Sequence, residues 1–164
     1  MVAGKGFEEF LPFYQCRRRW SDRVKLVEFP LFPGYIFCRL NPQHRLPILT
    51  VPGVLNFVGV GKVPVPIDEA EIAAIQNAVK SGLPVEPWPF LEVGQRVRLE
   101  DGPLAGVEGI IAGHSKHDRI VVSISLLRRS VAVTIESRWV RSADESSSLS
   151  MRAGGPQMPQ ALSL

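Results

Sequence analysis

Cysteine is scarce in this chain of 164 residues: Cys16 and Cys38 are the only two, and neither belongs to a CxxC pair. Two isolated cysteines could form at most one disulfide bond, which would constrain the fold little, so we expect reduced thiols, as in a cytoplasm. No run of 18 or more apolar residues occurs, which argues against a membrane-spanning helix. The N-terminal residues have no apolar core of the signal-peptide type, so the sequence predicts a cytoplasmic protein without membrane contact.

Motifs for catalysis are missing as well. The glycine-rich segment GPLAGVEG, residues 102–109, has no Gly-Lys-Ser/Thr and therefore does not resemble a phosphate-binding P-loop. His114, His117 and Asp118 share one polar segment without a fourth ligand, so a solvated turn is favoured over a metal site. Neither a nucleophile elbow nor a pair of carboxylates is evident. The sequence predicts a protein that is not an enzyme and needs no cofactor or metal.

What is present suits a small globular protein. Hydrophobic residues make up 45% of the chain, enough to form a core, and the length allows one domain or two small ones. The formal net charge is +3 and the sequence pI is near 9.1. Such a mildly basic balance is compatible with nucleic acid nearby but does not establish it.

The segment of residues 28–41 contains the clearest strand. A Pro33-Gly34 turn precedes alternating residues, which places Tyr35, Phe37 and Arg39 on one face and the apolar residues at 36, 38 and 40 on the other. A face that carries an arginine allows two interpretations. Tyr35 and Phe37, with Phe32, form an exposed apolar patch for a partner, or both rings pack under a helix while Arg39 reaches out at the edge.

A basic hairpin is predicted upstream, in CRRRWSDRVK at residues 16–25, with its turn at Ser21-Asp22. Its cations surround Trp20, an arrangement that could face phosphates or an acidic partner while the indole stacks. A solvated loop is the alternative. The residues concerned are Arg17, Arg18, Arg19, Trp20, Arg23 and Lys25.

The best helix pattern covers residues 68–81. Asp68 is a suitable N-cap, Glu71 would complete a capping box, and Gly82 would end the helix. Its apolar stripe predicts a core-facing surface rather than a site. The stripe consists of Ile72, Ile75 and Val79.

Three further segments complete the predicted organisation. Residues 83–91 contain three prolines and read as an extended linker. Residues 92–141 contain four to five short strands with frequent glycines, which predicts a small barrel. Residues 142–164, rich in serine and then glycine and proline, are predicted to be a disordered tail.

These segments also resemble a known family. PLFPGYIF at 30–37 and VPGVLNFVGVG at 51–61 resemble the N-terminal (NGN) domain of the NusG family of transcription elongation factors, and RRRWSDRVKLVEF resembles its specialised RfaH and UpxY-type paralogues. GQRVRLEDGPLAGVEGII resembles a KOW motif, and residues 119–140 resemble the rest of its SH3-like barrel. The resemblance covers residues 5–141.

The resemblance implies an α+β fold: a ferredoxin-like NGN domain over residues 1–82, followed by the KOW barrel. Because the family places a strand and a helix before the segment at residues 8–15, it also implies an NGN domain without its central first strand and most of its first helix. Such a domain should pack poorly, since the neighbouring strands would leave ladder groups unpaired. A start codon annotated too late, or a truncated gene, would explain this.

The implied function is binding to RNA polymerase, which suppresses pausing and promotes processivity and antitermination. The resemblance assigns contact with the clamp helices of the largest subunit to Phe32, Tyr35 and Phe37, and contact with the opposing gate loop to His44 and Arg45. The basic hairpin would approach upstream or non-template DNA. We expect a monomer.

For the barrel, the resemblance implies Rho or a small-subunit ribosomal protein as partner, bound through Val107, Leu126 and Leu127. Arg128 follows where many relatives have glycine, and a positive φ would strain arginine there. An RNA- or ribosome-binding KOW module that does not bind polymerase is the alternative function.

Overall fold

The computed structural model describes residues 3–91, 94–112, 118–142 and 158–164. Its first part contains two α-helices and seven strands: β1 (Glu8–Phe10), β2 (Phe13–Trp20), β3 (Arg23–Pro30), β4 (Tyr35–Leu40), α1 (Leu46–Leu49), β5 (Asn56–Phe57), β6 (Gly59–Val60), β7 (Val63–Pro64) and α2 (Glu69–Lys80). Its second part contains β8 (Val85–Trp88), β9 (Arg96–Leu99), β10 (Glu108–Ala112), β11 (Asp118–Ile124), β12 (Arg129–Ile135) and β13 (Val140–Ser142). The last strand is β14 (Met158–Ser163). None of the helices in the described ranges is long and apolar enough to cross a membrane.

The strands form two main antiparallel sheets. One has the order β1-β4-β14-β5, and the other has the order β13-β9-β10-β11-β12-β8. Two separate hairpins, β2-β3 and β6-β7, complete the sheet structure. The predicted α+β class is confirmed, with the helical content concentrated in the first part of the chain.

Helix α2 forms where the apolar period predicts it. The side chain of Asp68 accepts a hydrogen bond from the backbone amide of Ala70 at 2.8 Å, and Gly82 takes φ +72° beyond the C-terminal end. The predicted capping box is wrong, because the Glu71 carboxylate instead accepts hydrogen bonds from Ser125 in the second part of the chain. The buried stripe of the helix is Ile72, Ile75 and Ala78.

Strand β4 has a different apolar layer on each face. Phe37 belongs to a core cluster with Ile72 and Ile75 of α2, whereas Ile36 belongs to a second cluster with Ile48 of α1. Arg39 extends from the helix-covered face to Glu69, 2.6 Å away, and to Glu8 on β1. The interpretation of rings under a helix with arginine at the edge is confirmed for Phe37 and Arg39, whereas Tyr35 is only half-buried.

The C-terminal segment corrects two expectations. Met158–Ser163 is not part of a disordered tail, because it forms β14, which pairs antiparallel with all six residues of β4. It also pairs with β5 at Leu162 and Ser163, so β14 stands inside the first sheet. The expected gap at a central strand position is therefore filled by a segment far along the chain. The rest of the predicted tail, residues 143–157, lies outside the described residues.

The proline-rich segment is also corrected. Val85–Trp88 is not linker but strand β8, which pairs with β12 at the end of the second sheet. An outer strand tolerates proline, since one of its edges needs no ladder donors. The predicted boundary at residues 83–91 therefore assigns to a linker four residues that belong to the second sheet.

The second sheet follows the predicted barrel pattern. Inward residues of the two neighbouring strands β11 and β12 are fully buried, as shown by Ile120, Val131 and Val133 at 0% exposure. Gly109 is required where the strands approach closely, because a Cβ there would lie 2.6 Å from the carbonyl oxygen of Val121. Arg128 adopts φ +47° and ψ +48°, which confirms the positive φ expected at this turn.

Candidate functional site

The basic hairpin forms as predicted, and its register sorts its side chains onto two faces. Arg18 pairs with Lys25 and Trp20 pairs with Arg23, so one face presents three cations and an indole. Arg17 pairs with Leu26 and Arg19 with Val24, which gives the other face a mixture of cations and exposed aliphatic groups. The two faces of the basic hairpin therefore differ in their chemistry.

The tip of this hairpin is open to solvent. Trp20 is 60% exposed, and none of the five cations forms an ion pair within the described ranges of the chain. The guanidinium of Arg18 lies 4.9 Å from the ring centroid of Phe29, which orients it along the face that carries Trp20. Unpaired cations beside an exposed indole can neutralise phosphates and stack on a base.

Two of the three aromatic residues expected in the exposed patch are in the core. Phe32 is 1% exposed and Phe37 is 2% exposed, and their rings meet edge to face with centroids 5.2 Å apart. The expectation of a patch that offers both rings to a partner is therefore wrong. Helix α2 and the second sheet contribute to the same core cluster, which is what covers these rings.

Tyr35 is different, because it is only half-buried and lines a groove. This groove, of about 530 Å³, lies between the base of the β2-β3 hairpin and the second sheet. The guanidinium of Arg129 lies 5.7 Å from the Tyr35 ring centroid, and that of Arg128 lies 4.8 Å from the Phe90 ring centroid. The aromatic side chains around the groove are Tyr14, Phe29, Tyr35, Trp88 and Phe90.

His44 and Arg45 lie on the surface, between β4 and the single-turn helix α1. Arg45 borders a second groove of about 480 Å³ together with Leu46 and Val63, which are 72% and 67% exposed. These two predicted residues are thus accessible, and neither lines the Tyr35 groove.

The residues expected to bind a partner of the barrel are largely inward. Val107 is 5% exposed and Leu127 is 9% exposed, while Leu126 is half-buried against the same core cluster. An apolar surface made of these three side chains is not present in this arrangement.

A link between the two parts of the chain was not evident from the sequence. The Glu71 carboxylate accepts hydrogen bonds from the Ser125 hydroxyl at 2.7 Å and from the Ser125 amide at 3.3 Å. These bonds fasten the first turn of α2 to the turn between β11 and β12. Because they join residues 54 positions apart, no local pattern could have indicated them.

Titratable chemistry is sparse. Burial raises the pKa of the Cys38 thiol to about 12, which keeps it protonated and unreactive. Within the described parts of the chain, no cluster of histidine, cysteine, aspartate and glutamate could hold a metal ion. The predicted solvated turn at His114 and His117 lies outside the described residues.

Comparison with known proteins gives a consistent result. A family model described as "Transcription termination factor nusG" matches residues 2–76. Proteins described as transcription termination/antitermination protein NusG also match. That of Buchnera aphidicola (subsp. Baizongia pistaciae) is 31% identical over 126 residues, covering 74% of this chain and 70% of that protein. That of Escherichia coli K12 is 30% identical over 141 residues, covering 83% and 75%.

The chain belongs to the NusG family of transcription factors. A third relative, from Helicobacter pylori strain J99, is 28% identical over 118 residues, covering 70% of this chain and 67% of that protein. The match to the NusG family model includes the basic hairpin, Tyr35, His44 and Arg45. The Escherichia coli NusG match is long enough that it must also include residues of the second sheet.

Proposed function

We propose that this chain is a non-catalytic elongation and antitermination factor that binds RNA polymerase and promotes processive transcription. The observation that carries the proposal is the Tyr35 groove in a chain of the NusG family. The groove adjoins the base of the basic hairpin, whose five cations form no ion pairs within the described residues. The relatives' names, which refer to termination and antitermination, support this role. We further propose that it acts in the cytoplasm as a monomer.

The groove has the composition of a protein-binding hot spot. Aromatic residues and arginine are enriched where interfaces have most of their binding energy. Aromatic rings bury large areas with little loss of conformational freedom, and arginine adds several hydrogen-bond donors in a planar group. Tyr35 on β4 and Trp88 on β8 both line the groove, and the guanidinium of Arg129 lies over the Tyr35 ring. An apolar helix surface on polymerase, such as the clamp helices, would fill such a groove.

The buried phenylalanines have a supporting role in this proposal. Phe32 and Phe37 pack beneath the turn and strand that carry Tyr35, and their burial leaves little surface for a partner to contact. His44 and Arg45 are proposed to make a separate polar contact, because both are exposed and Arg45 borders the second groove.

The hairpin is proposed to contact upstream or non-template DNA. Its Trp20 face combines cations with a stacking surface, as single-strand binding requires. Each phosphate contact that is lost should lower the slope of log affinity against log salt by about 0.7 for single strands. Val107 and Leu127 are buried, so the geometry does not favour Rho or a ribosomal protein as partner of the barrel.

Binding to purified core RNA polymerase tests the proposal. We expect Tyr35→Ala and Trp88→Ala each to weaken binding by about thirtyfold or more, the loss typical of a hot-spot residue. Val60→Ala is the matched control, because Val60 is 74% exposed and does not line the groove. Equal binding by all three folded variants would contradict the groove as the polymerase site.

An RNA- or ribosome-binding module is the second candidate, favoured by the unpaired cations of the hairpin. Under that function, Arg18→Ala and Lys25→Ala should weaken binding and flatten its salt dependence, whereas Tyr35→Ala should have little effect. Polymerase binding predicts the reverse order. Measuring all three variants at two salt concentrations with polymerase and with a structured RNA separates the two functions.

A further inference from the structure

Strand β14 has ladder partners on both sides, which is unusual for a segment so far from them along the chain. It pairs with β4 from Met158 to Ser163 and with β5 at Leu162 and Ser163. Four additional backbone bonds tie it to its surroundings: Leu55 to Ser163, Val58 to Ala161, Ile67 to Pro159, and Leu164 to Gly34, at 2.8 to 2.9 Å. Removing β14 would leave main-chain groups of several other segments without partners.

The side chains of β14 complete both apolar layers of the first sheet. Ala161 is 0% exposed and belongs to the cluster that contains Phe37 and Ile75. Leu162 is also 0% exposed and belongs to the opposite cluster, with Ile36 and Ile48. The position between β4 and β5 therefore accommodates a small side chain on one face of the sheet and a leucine on the other.

Two residues nevertheless make β14 a weak central strand. Pro159 has no amide proton and cannot donate to the ladder, so proline is normally confined to outer strands. Gln160 is 2% exposed, and its Oε1 has no hydrogen-bond partner within the described residues. A buried acceptor without a donor opposes burial of the segment that carries it.

Both flanks of this space precede their occupant along the chain, and β5 pairs with no strand other than β14 among the described residues. Strands β4 and β5 lie within residues 35–57, whereas β14 begins about a hundred residues later, beyond the whole second sheet. Both flanks therefore belong to a continuous segment that is synthesised long before the strand that separates them. The occupant is held by its ladder, by the buried apolar side chains of Ala161 and Leu162, and by the chain connection through residues 143–157.

We propose that the space between β4 and β5 is a strand-acceptor site, and that residues 158–163 are an exchangeable occupant. The site binds an extended segment by β-addition, through backbone hydrogen bonds on both edges and alternating side-chain pockets. The same segment supplied in trans, by a second copy or as a free peptide, can replace the resident strand. This inference does not depend on polymerase binding.

The test begins with the full chain, into which a site for a sequence-specific protease is inserted between Ser148 and Leu149. In the uncleaved protein the resident strand competes at an effective concentration of about millimolar, so a labelled peptide of residues 157–164 should not bind at micromolar concentration. After folding and cleavage, the resident strand can dissociate. The labelled peptide should then bind, as measured by fluorescence anisotropy.

Peptide variants give the specificity of the site. Leu162→Asp places a charge in the apolar cluster and should weaken binding by about thirtyfold or more. Leu164→Asp is the matched control and should bind within about twofold, because that side chain is 45% exposed. Gln160→Met removes the unpartnered acceptor and should bind several-fold more tightly.

Cys38 provides a second readout, because it lies opposite Gln160 in the ladder and is 3% exposed. In a Cys16→Ser background, alkylation of Cys38 should accelerate when the cleaved segment is washed out and slow again when the peptide is added. Binding without discrimination between Leu162→Asp and Leu164→Asp would overturn the proposal. Retention of the original segment against excess peptide for days would overturn its exchangeability.

Discussion

Replacing Phe37 and Tyr35 separately distinguishes a core residue from a surface residue on the same face of β4. Phe37 is 2% exposed and packs edge to face on Phe32 at 5.2 Å and against Phe10 at 6.0 Å. A buried phenylalanine truncated to alanine costs about 3–5 kcal/mol, and the ring pairs place Phe37→Ala toward the upper end of this range. Tyr35→Ala should cost about 1 kcal/mol, since the side chain is only half-buried.

Urea unfolding followed by tryptophan fluorescence measures this difference. In a chain of this size, a loss of 4 kcal/mol corresponds to a fall in Tm of about 8–16 °C. Under the proposed function, Phe37→Ala should lose polymerase binding because the first sheet is destabilised, whereas Tyr35→Ala should lose binding while the protein remains folded. If Phe37→Ala were within 1 kcal/mol of the parent protein, the burial of this ring under α2 would be refuted.

Three further predictions concern single sites. The free energy of unfolding should fall by about 1.4 kcal/mol per pH unit between pH 9 and 12, because the unfolded Cys38 thiol loses a proton that the folded one retains. Parallel urea titrations of Cys38→Ala should lack this pH-dependent component. In the folded parent protein, only the more accessible Cys16 should react with iodoacetamide at pH 8. Glu71→Ala should speed hydrogen exchange of the Ser125 amide by about tenfold, since a charge-assisted bond at this partly exposed position is worth about 1.4 kcal/mol. An unchanged exchange rate would mean that this hydrogen bond is absent in solution. Gly102→Ala should destabilise the protein by more than about 2 kcal/mol, because φ is +79° and the added Cβ would lie 2.6 Å from an indole carbon of Trp139. Gly106→Ala is the control: φ is +88° but the space around it is open, so it should cost only the backbone strain. Thermal unfolding of both variants measures the difference.

The turn at Arg128 has a strained backbone conformation that a glycine would relieve. Arg128 occupies the left-handed region at φ +47°, a conformation that glycine adopts without cost. The resemblance to KOW proteins implies that glycine is usual at this position. The structure adds what the arginine contributes in return, a guanidinium 4.8 Å from the Phe90 ring centroid beside the Tyr35 groove.

The amino-acid sequence by itself determined the elements whose causes are local. The period of apolar residues and the Asp68 cap predict α2, since both depend on neighbours within four positions. The turns at Ser21-Asp22 and Pro33-Gly34 predict the hairpin and the start of β4 for the same reason. Alternation also identified the two faces of β4 correctly.

Only the tertiary structure decided what covers those faces. Alternation assigns Phe37 to a face but does not specify whether α2 or a partner protein buries it, because the covering residues lie elsewhere in the chain. Strand β14 has no strong strand signal of its own, since Pro159 and Gln160 disfavour a central position, and it forms a strand because β4 and β5 supply ladder partners on both sides. The same applies to β8, whose prolines suggest a linker until β12 pairs with it. Pairing over such distances is determined by the free energy of the whole fold, and no local window contains it.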